Sequence, residues 1–243
     1  MTTRKSFIYG TDRIEYEVVY EPVKSSKVSI HVYPDGSVRV DAPEERGLPE
    51  IHRAVMKRAG WIKHHVDEFN RQRAQALPRT YTSGETVFYL GRRYQLKVKN
   101  PRGTEESVKL LRGQICVETG CRDRSEIKEC LSEWYRSRAT DVFARRFDDI
   151  ADRVGWLRQL PKWRLVRMQK QWGSCSPAGV ILLNPHLVKA PRECIDYVIS
   201  HELCHLQEHN HSPRYYRLLA KIMPSWEGVK ARLDGMAELL LNE

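Results

Sequence analysis

The apolar residues of this 243-residue chain change their spacing partway along the sequence. In the first part they alternate with polar residues, as at Ile14 and Tyr16, and a spacing of two predicts strands with one buried face. From Ile127 to Val154 they recur at every third and fourth position, which predicts a long amphipathic helix. The sequence therefore predicts an α+β fold, with a β-rich N-terminal module over residues 1–122 and a mainly helical domain over residues 123–243.

Turn residues divide the β-rich module into hairpins. The dipeptide Asp35-Gly36 splits an alternating stretch at 27–42, and Gly91 and Gly113 split two later ones. The strands flanking those two glycines are predicted at 85–90, 94–98, 107–111 and 114–118. One helical segment, at about 48–76, interrupts the strands, and no internal repeat is evident.

The second domain is predicted to contain a short hairpin and then a helix. Strands over 164–172 and 179–184 would pair across the segment 173–178. Pro191 then suits the first turn of a helix, where an amide hydrogen is not needed.

The composition indicates which cellular compartment and which kinds of partner to expect. The 41 Lys and Arg against 31 Asp and Glu give a net charge of +10, which favours polyanions and makes nucleic acid a possible partner. The basic residues cluster at 53–79 and 136–170, although acidic residues interrupt both stretches as on ordinary solvated helices. The longest apolar runs, at 180–183 and 239–241, are far shorter than the roughly 20 residues of a membrane helix, so no membrane association is expected. Six cysteines without a CxxC pair, and no apolar segment after the first basic residues, predict a cytoplasmic protein with free thiols.

The helix after Pro191 contains the motif HExxH. Residues four apart lie on one helical face, so His201 and His205 can direct both imidazoles at one divalent ion. Glu202 follows His201 directly and can hydrogen-bond a water on that ion. A zinc ion would give these polar groups a partner inside the apolar surroundings that the helix predicts.

The third ligand must follow the end of this helix. His209 is unsuitable, since eight helical residues carry its Cα about 12 Å from that of His201. Asn210 is predicted to end the helix, and His211 lies before the next helix start at Ser212-Pro213. The spacing to His211 equals that of HExxHxxGxxH, with Glu208 at the glycine position. His211 is the preferred third ligand, and the alternative is a more distant glutamate, Glu227 or Glu238.

The same region resembles a known family. The segments that carry the resemblance are Trp172-Gly173-Ser174-Cys175-Ser176, Ile181-Leu182-Leu183-Asn184, the HExxH helix and Asn210-His211-Ser212-Pro213. They are similar to those of the YgjP-like metallopeptidases, which are related to the SprT-like and WLM proteases that act on DNA–protein crosslinks. The resemblance implies a zincin-like zinc peptidase domain with a three-histidine site, and it implies no particular substrate.

A mechanism follows from these assignments. With one Zn²⁺ on His201, His205 and His211, a fourth position stays open for a water, and Glu202 would act as general base on it. Tyr215 and Tyr216 are candidate donors to the oxyanion, or simply packing residues, and Glu193 and Asp196 are possible partners of the histidines. The strand at 179–184 is expected to form the cleft edge along which a protein or peptide substrate pairs.

Two other classes of function remain open. Gly173-Ser174-Cys175 superficially resembles the segment around a papain-like nucleophile, which suggests a cysteine hydrolase with Cys175. The second class is a nucleic-acid-associated zinc protein, which would be either a protease of DNA-bound proteins or a binding module without activity.

Overall fold

The computed structural model describes residues 2–21, 28–33, 35–75, 79–101, 106–120, 123–168 and 171–241. The N-terminal half contains β1 (Thr2–Tyr9), β2 (Asp12–Glu21), β3 (Ser29–Val32), β4 (Val38–Pro43), α1 (Leu48–Lys57), α2 (Ala59–Gln75), β5 (Thr86–Tyr89), β6 (Arg92–Lys99), β7 (Ser107–Leu111) and β8 (Gln114–Glu118). The remainder contains α3 (Arg124–Ala151), β9 (Trp163–Leu165), β10 (Gly173–Cys175), β11 (Ile181–Leu183), a 3₁₀ helix (Pro185–Lys189), α4 (Arg192–Cys204), α5 (Pro213–Ile222) and α6 (Trp226–Leu241). The predicted α+β class is confirmed. Within the described residues, no helix has the length and apolar character needed to cross a membrane.

Two four-stranded sheets share one topology, which the sequence did not indicate. Their strand orders are β1-β2-β4-β3 and β5-β6-β8-β7. In both sheets two antiparallel hairpins meet through a parallel pair, β2 with β4 and β6 with β8. The chain therefore repeats one supersecondary unit, although no repeat is evident in its residues. The predicted hairpin at 27–42 corresponds to β3 and β4, while its Lys27 and Pro34 lie outside the described residues.

Two apolar clusters organise the packing. The smaller one contains side chains from Phe7 to Ile62 and joins the first sheet to α1 and α2. The larger one runs from Tyr81 to Leu240 and joins the second sheet to α3, α4, α5 and α6. The predicted boundary near residue 122 falls between β8 and α3, which both contribute to the larger cluster, and residues 121–122 themselves lie outside the described part. Division of the chain into folding units at that point stays a prediction.

The short sheet before α4 differs from its predicted form. Residues 173–175 form strand β10, not a turn, and they pair antiparallel with β11. Strand β9 pairs with the other side of β11, in parallel. A hairpin does precede the HExxH helix, but β11 is the central strand of the order β10-β11-β9. The strand predicted at 179–184 is therefore paired on both sides, and the edge strands are β10 and β9.

The turn between β5 and β6 holds the start of α4. The amides of Leu90 and Gly91 donate to the carbonyl oxygens of Val188 and Lys189 at 2.9 and 3.0 Å. Gly91 has a φ of +75°, and a Cβ atom there would lie 2.8 Å from Cγ of Pro191. Both the backbone conformation and the close approach require glycine.

Replacing Gly91 should cost more stability than replacing a glycine in an open turn. Gly91→Ala combines a left-handed backbone with a clash against Pro191, and we expect a loss of about 2–4 kcal/mol in the free energy of unfolding. Gly113 is the matched control because its φ is +78° and a Cβ atom there would have nothing within 4 Å, so Gly113→Ala should cost about 1 kcal/mol. Urea denaturation measures both. Equal losses would contradict a tight contact between the turn and Pro191.

Candidate metal centre

His201 and His205 lie in the last turn and at the end of α4. The helix begins after Pro191 and ends at Cys204, with His205 as its C-cap. Helical spacing places the two Nε2 atoms 3.3 Å apart. The helix stops well before Asn210, so the prediction that Asn210 ends it is wrong, and His209 lies in the following bend.

His211 returns to the same point because the chain reverses before α5. The Ser212 side chain accepts a hydrogen bond from the Tyr215 amide at 3.2 Å and so caps the new helix. This start places Nε2 of His211 3.1 Å from Nε2 of His201. The ligand atoms of His201, His205 and His211 all lie within 4.8 Å of one another.

The alternative ligands are absent from this group. Glu227 and Glu238 lie on α6, and neither joins the three histidines. Within the part of the chain that the structure describes, the three histidines are the one group of three or more His, Cys, Asp or Glu side chains with converging ligand atoms.

The chemistry of the three imidazoles fits a divalent ion. Nδ1 of His205 lies 3.1 Å from the Glu208 carbonyl oxygen, which only accepts hydrogen bonds, so Nδ1 carries the hydrogen and Nε2 keeps its lone pair. Desolvation, reinforced by the neighbouring imidazoles, lowers the pKa of His211 to about 3 and that of His201 well below its usual value. Neutral imidazoles are the form that binds metals.

The distances fit zinc as well. In a tetrahedral site with Zn–N bonds of about 2.0–2.1 Å, two ligand nitrogens lie about 3.3–3.4 Å apart. The Nε2 atoms of His205 and His211 lie 3.3 and 3.1 Å from that of His201.

Glu202 is buried beside the histidines and lies against strand β10. Its residual exposure is 4%, and burial raises the pKa of its carboxyl group to about 8. A Cβ atom on Gly173 would lie 2.7 Å from Oε1 of Glu202. The absence of a side chain at Gly173 therefore makes the space for this carboxyl group. Sequence reasoning missed this role, although a glycine within a strand is a known sign of close approach.

Tyr215 supports the histidines through packing and one hydrogen bond. Its ring centroid lies 5.3, 4.8 and 4.7 Å from those of His201, His205 and His211. Its hydroxyl donates a hydrogen bond to the His201 carbonyl oxygen at 3.1 Å, and the side chain is fully buried. Tyr215 therefore has the packing role that was one of its two predicted roles. Tyr216 is 40% exposed and stacks between His211 and Trp226.

The predicted carboxylate partners of the histidines have other partners. Asp196 binds Arg146, with 2.7 Å between Oδ2 and Nη2, and Glu193 binds Arg232. The suggestion that Asp196 or Glu193 orients a histidine is therefore wrong. The Glu208 carbonyl orients His205 instead.

Cys175 lacks the surroundings of a nucleophile. It lies in β10 and not at a helix N-terminus. Burial, followed by the charge of Glu202, raises the pKa of its thiol to about 11. The reactive thiolate is thus disfavoured, which argues against a cysteine hydrolase.

Among the comparisons with known proteins, the match to a family model agrees with this site. The family model described as YgjP-like, metallopeptidase domain, matches residues 26–236. A similar solved structure is the metallopeptidase zymogen abylysin of Pyrococcus abyssi, 25% identical over 42% of this chain and 94% of that one, with a TM-score of 0.34. Another is the zymogen jannalysin of Methanocaldococcus jannaschii, 17% identical over 39% of this chain and 92% of that one, with a TM-score of 0.32. No curated protein matches the chain. Since the family match spans most of the sequence and includes the three histidines and Glu202, the chain belongs to the YgjP-like metallopeptidase family.

Proposed function

We propose that the chain is a zinc-dependent peptidase that hydrolyses peptide bonds in a protein or peptide substrate. His201, His205 and His211 would hold one Zn²⁺, and Glu202 would be the general base. The observation that carries this proposal is the convergence of three histidine ring nitrogens within 4.8 Å of one another, beside a buried carboxyl group. Membership of a metallopeptidase family supports the same reaction.

The residues around the centre have distinct tasks. A zinc ion held there would supply Lewis-acid polarisation of the scissile carbonyl and would lower the pKa of a bound water. Glu202 takes the proton from the attacking water and delivers it to the leaving amine. Burial raises the pKa of this carboxyl group, and a Zn²⁺ beside it would favour the ionised form, which accepts the proton. Tyr215 holds the last turn of α4 in place through the His201 carbonyl.

Two further parts of the site bear on the substrate. The hydroxyl of Tyr215 already donates its hydrogen to the His201 carbonyl oxygen, so Tyr216 is the better candidate donor to the oxyanion. An extended substrate would pair with β10, the edge strand beside Glu202. Cytoplasmic location is part of the proposal, and it is supported by the five described cysteines, which are all free thiols.

Recruitment to nucleic acid is the second candidate. It rests on the net charge of +10, which ion pairs such as Lys63 with Asp12 and Arg146 with Asp196 leave unchanged, because each pair contains one charge of either sign. Retention on DNA at low salt that weakens steeply as salt rises would favour it. A chain that is not retained even at low salt acts without nucleic acid.

Loss of His211 should remove the metal, while loss of its neighbour should not. His211→Ala should lower zinc affinity by more than about 100-fold, since even the loss of a group behind a ligand costs about 10- to 100-fold. His209 is exposed and outside the ligand group, so His209→Ala should keep one zinc per chain. Elemental analysis of the purified variants measures this. Full zinc content in His211→Ala would exclude it as a ligand.

Glu202→Gln should separate catalysis from metal binding. We expect normal zinc content with peptidase activity on casein reduced about 10²- to 10⁴-fold, because the amide cannot accept the proton from water. Unchanged cellular function in this variant would instead favour the binding module without activity.

Gly173→Ala should impair catalysis through the displaced carboxyl group of Glu202. The added methyl would overlap that group, and we expect kcat to fall about 10- to 100-fold with zinc content unchanged. Gly155→Ala is the control, since nothing lies within 4 Å of its added Cβ, and it should keep full activity. A fully active Gly173→Ala variant would show that the position of Glu202 against β10 is unimportant.

A further inference from the structure

Strand β3 of the N-terminal sheet reaches the metal centre. The ring of His31 lies 5.5 Å from that of His211, centroid to centroid. Just beyond β3, the hydroxyl of Tyr33 accepts a hydrogen bond of 3.2 Å from Nε2 of Gln171, two residues before β10. The stretch from His31 to Tyr33 therefore contacts both His211 and Gln171, which lies just before β10.

The two faces of β3 serve different purposes. Ile30 and Val32 point to one side and pack on the smaller apolar cluster. Ser29 and His31 lie on the opposite face, where the pairing with β4 adds Asp41 and Arg39. The polar face of this hairpin is therefore the one that meets His211.

His31 is held by a fixed carboxylate. Asp41 has one oxygen 3.2 Å from Nε2 of His31, and its other oxygen accepts a bond of 2.6 Å from Nε of Arg39. Burial opposes ionisation of Asp41, but the bonds from His31 and Arg39 outweigh it and hold its pKa below the usual value. The carboxylate accepts, so Nε2 of His31 carries the hydrogen. Nδ1 of His31 makes no hydrogen bond to any residue that the structure describes, and the side chain keeps 29% of its exposure.

We propose that the N-terminal sheet forms the outer wall of the substrate cleft, that His31 binds the substrate there, and that Asp41 is its positioning residue. This inference rests on the proposed peptidase function and names its substrate class. Among the strands that the structure describes, β3 and β10 each have one neighbour in their sheets, so each offers an edge to which an extended chain can pair. A cleft between two strand edges fits an extended, unfolded stretch of polypeptide and excludes the surface of a folded domain.

Binding without cleavage tests the wall directly. The full-length, zinc-loaded Glu202→Gln chain is titrated into fluorescein-labelled casein, an unfolded protein, and anisotropy gives Kd. Adding the His31→Ala substitution to this Glu202→Gln chain should raise Kd about tenfold, because the substrate loses one hydrogen bond and the contact with the His31 ring. Asp41→Asn should raise Kd less, because the ring stays but its orientation is lost. His64→Ala is the matched control, since His64 lies on α2 with 73% of its side chain exposed, and it should leave Kd unchanged.

Competition tests the substrate class. Unlabelled lysozyme that has been reduced and carboxymethylated should displace casein, whereas native lysozyme of the same sequence should not. Equal competition by the two forms overturns the inference, and so does a parent chain that does not bind casein.

Two further measurements separate this inference from the proposed function. Loss of zinc in His31→Ala would make His31 a fourth ligand and overturn its substrate role. If the wild type cleaves casein and His31→Ala cleaves it with the same kcat and KM, this inference alone fails. If casein binds through His31 but the zinc-loaded wild type cleaves nothing, the peptidase function alone fails.

Discussion

The fold has to hold one buried carboxyl group and three partly buried imidazoles side by side around the end of one helix. Removing such groups from water costs several kcal/mol unless a partner compensates. The surrounding elements meet this constraint at separate points of α4. The turn at Gly91 holds its start, Tyr215 bonds its last turn, and β10 lies against Glu202. The larger apolar cluster supplies the continuous core in which these contacts stay in place.

Local patterns predicted much of this arrangement. Strands β7 and β8 have the bounds expected from alternation around Gly113. The meeting of His201 and His205 follows from helical spacing alone. The role of His211 as third ligand could be predicted because Ser212 is a typical N-cap residue and marks where the next helix begins. In each case the deciding interactions lie within a few residues of one another.

Interactions between distant segments could not be predicted. Gly173 belongs to a strand because β11 pairs with it, and its lack of a side chain matters because Glu202 approaches from α4. Asp196 was a predicted candidate to accept a hydrogen bond from a histidine, but it pairs with Arg146, which lies 50 positions away in the sequence. The repeated order of the two four-stranded sheets depends on parallel pairs that join separate hairpins, and a single sequence carries no sign of which hairpins meet.

The hydrogen bond between Tyr33 and Gln171 joins residues 138 positions apart. Contacts of such long sequence separation close large loops, and they slow folding because chain entropy is lost before the contacts form. During synthesis the histidines of α4 emerge after both partners of this bond. Tyr33 and Gln171 are therefore both available to pair before the three histidines can converge on one point.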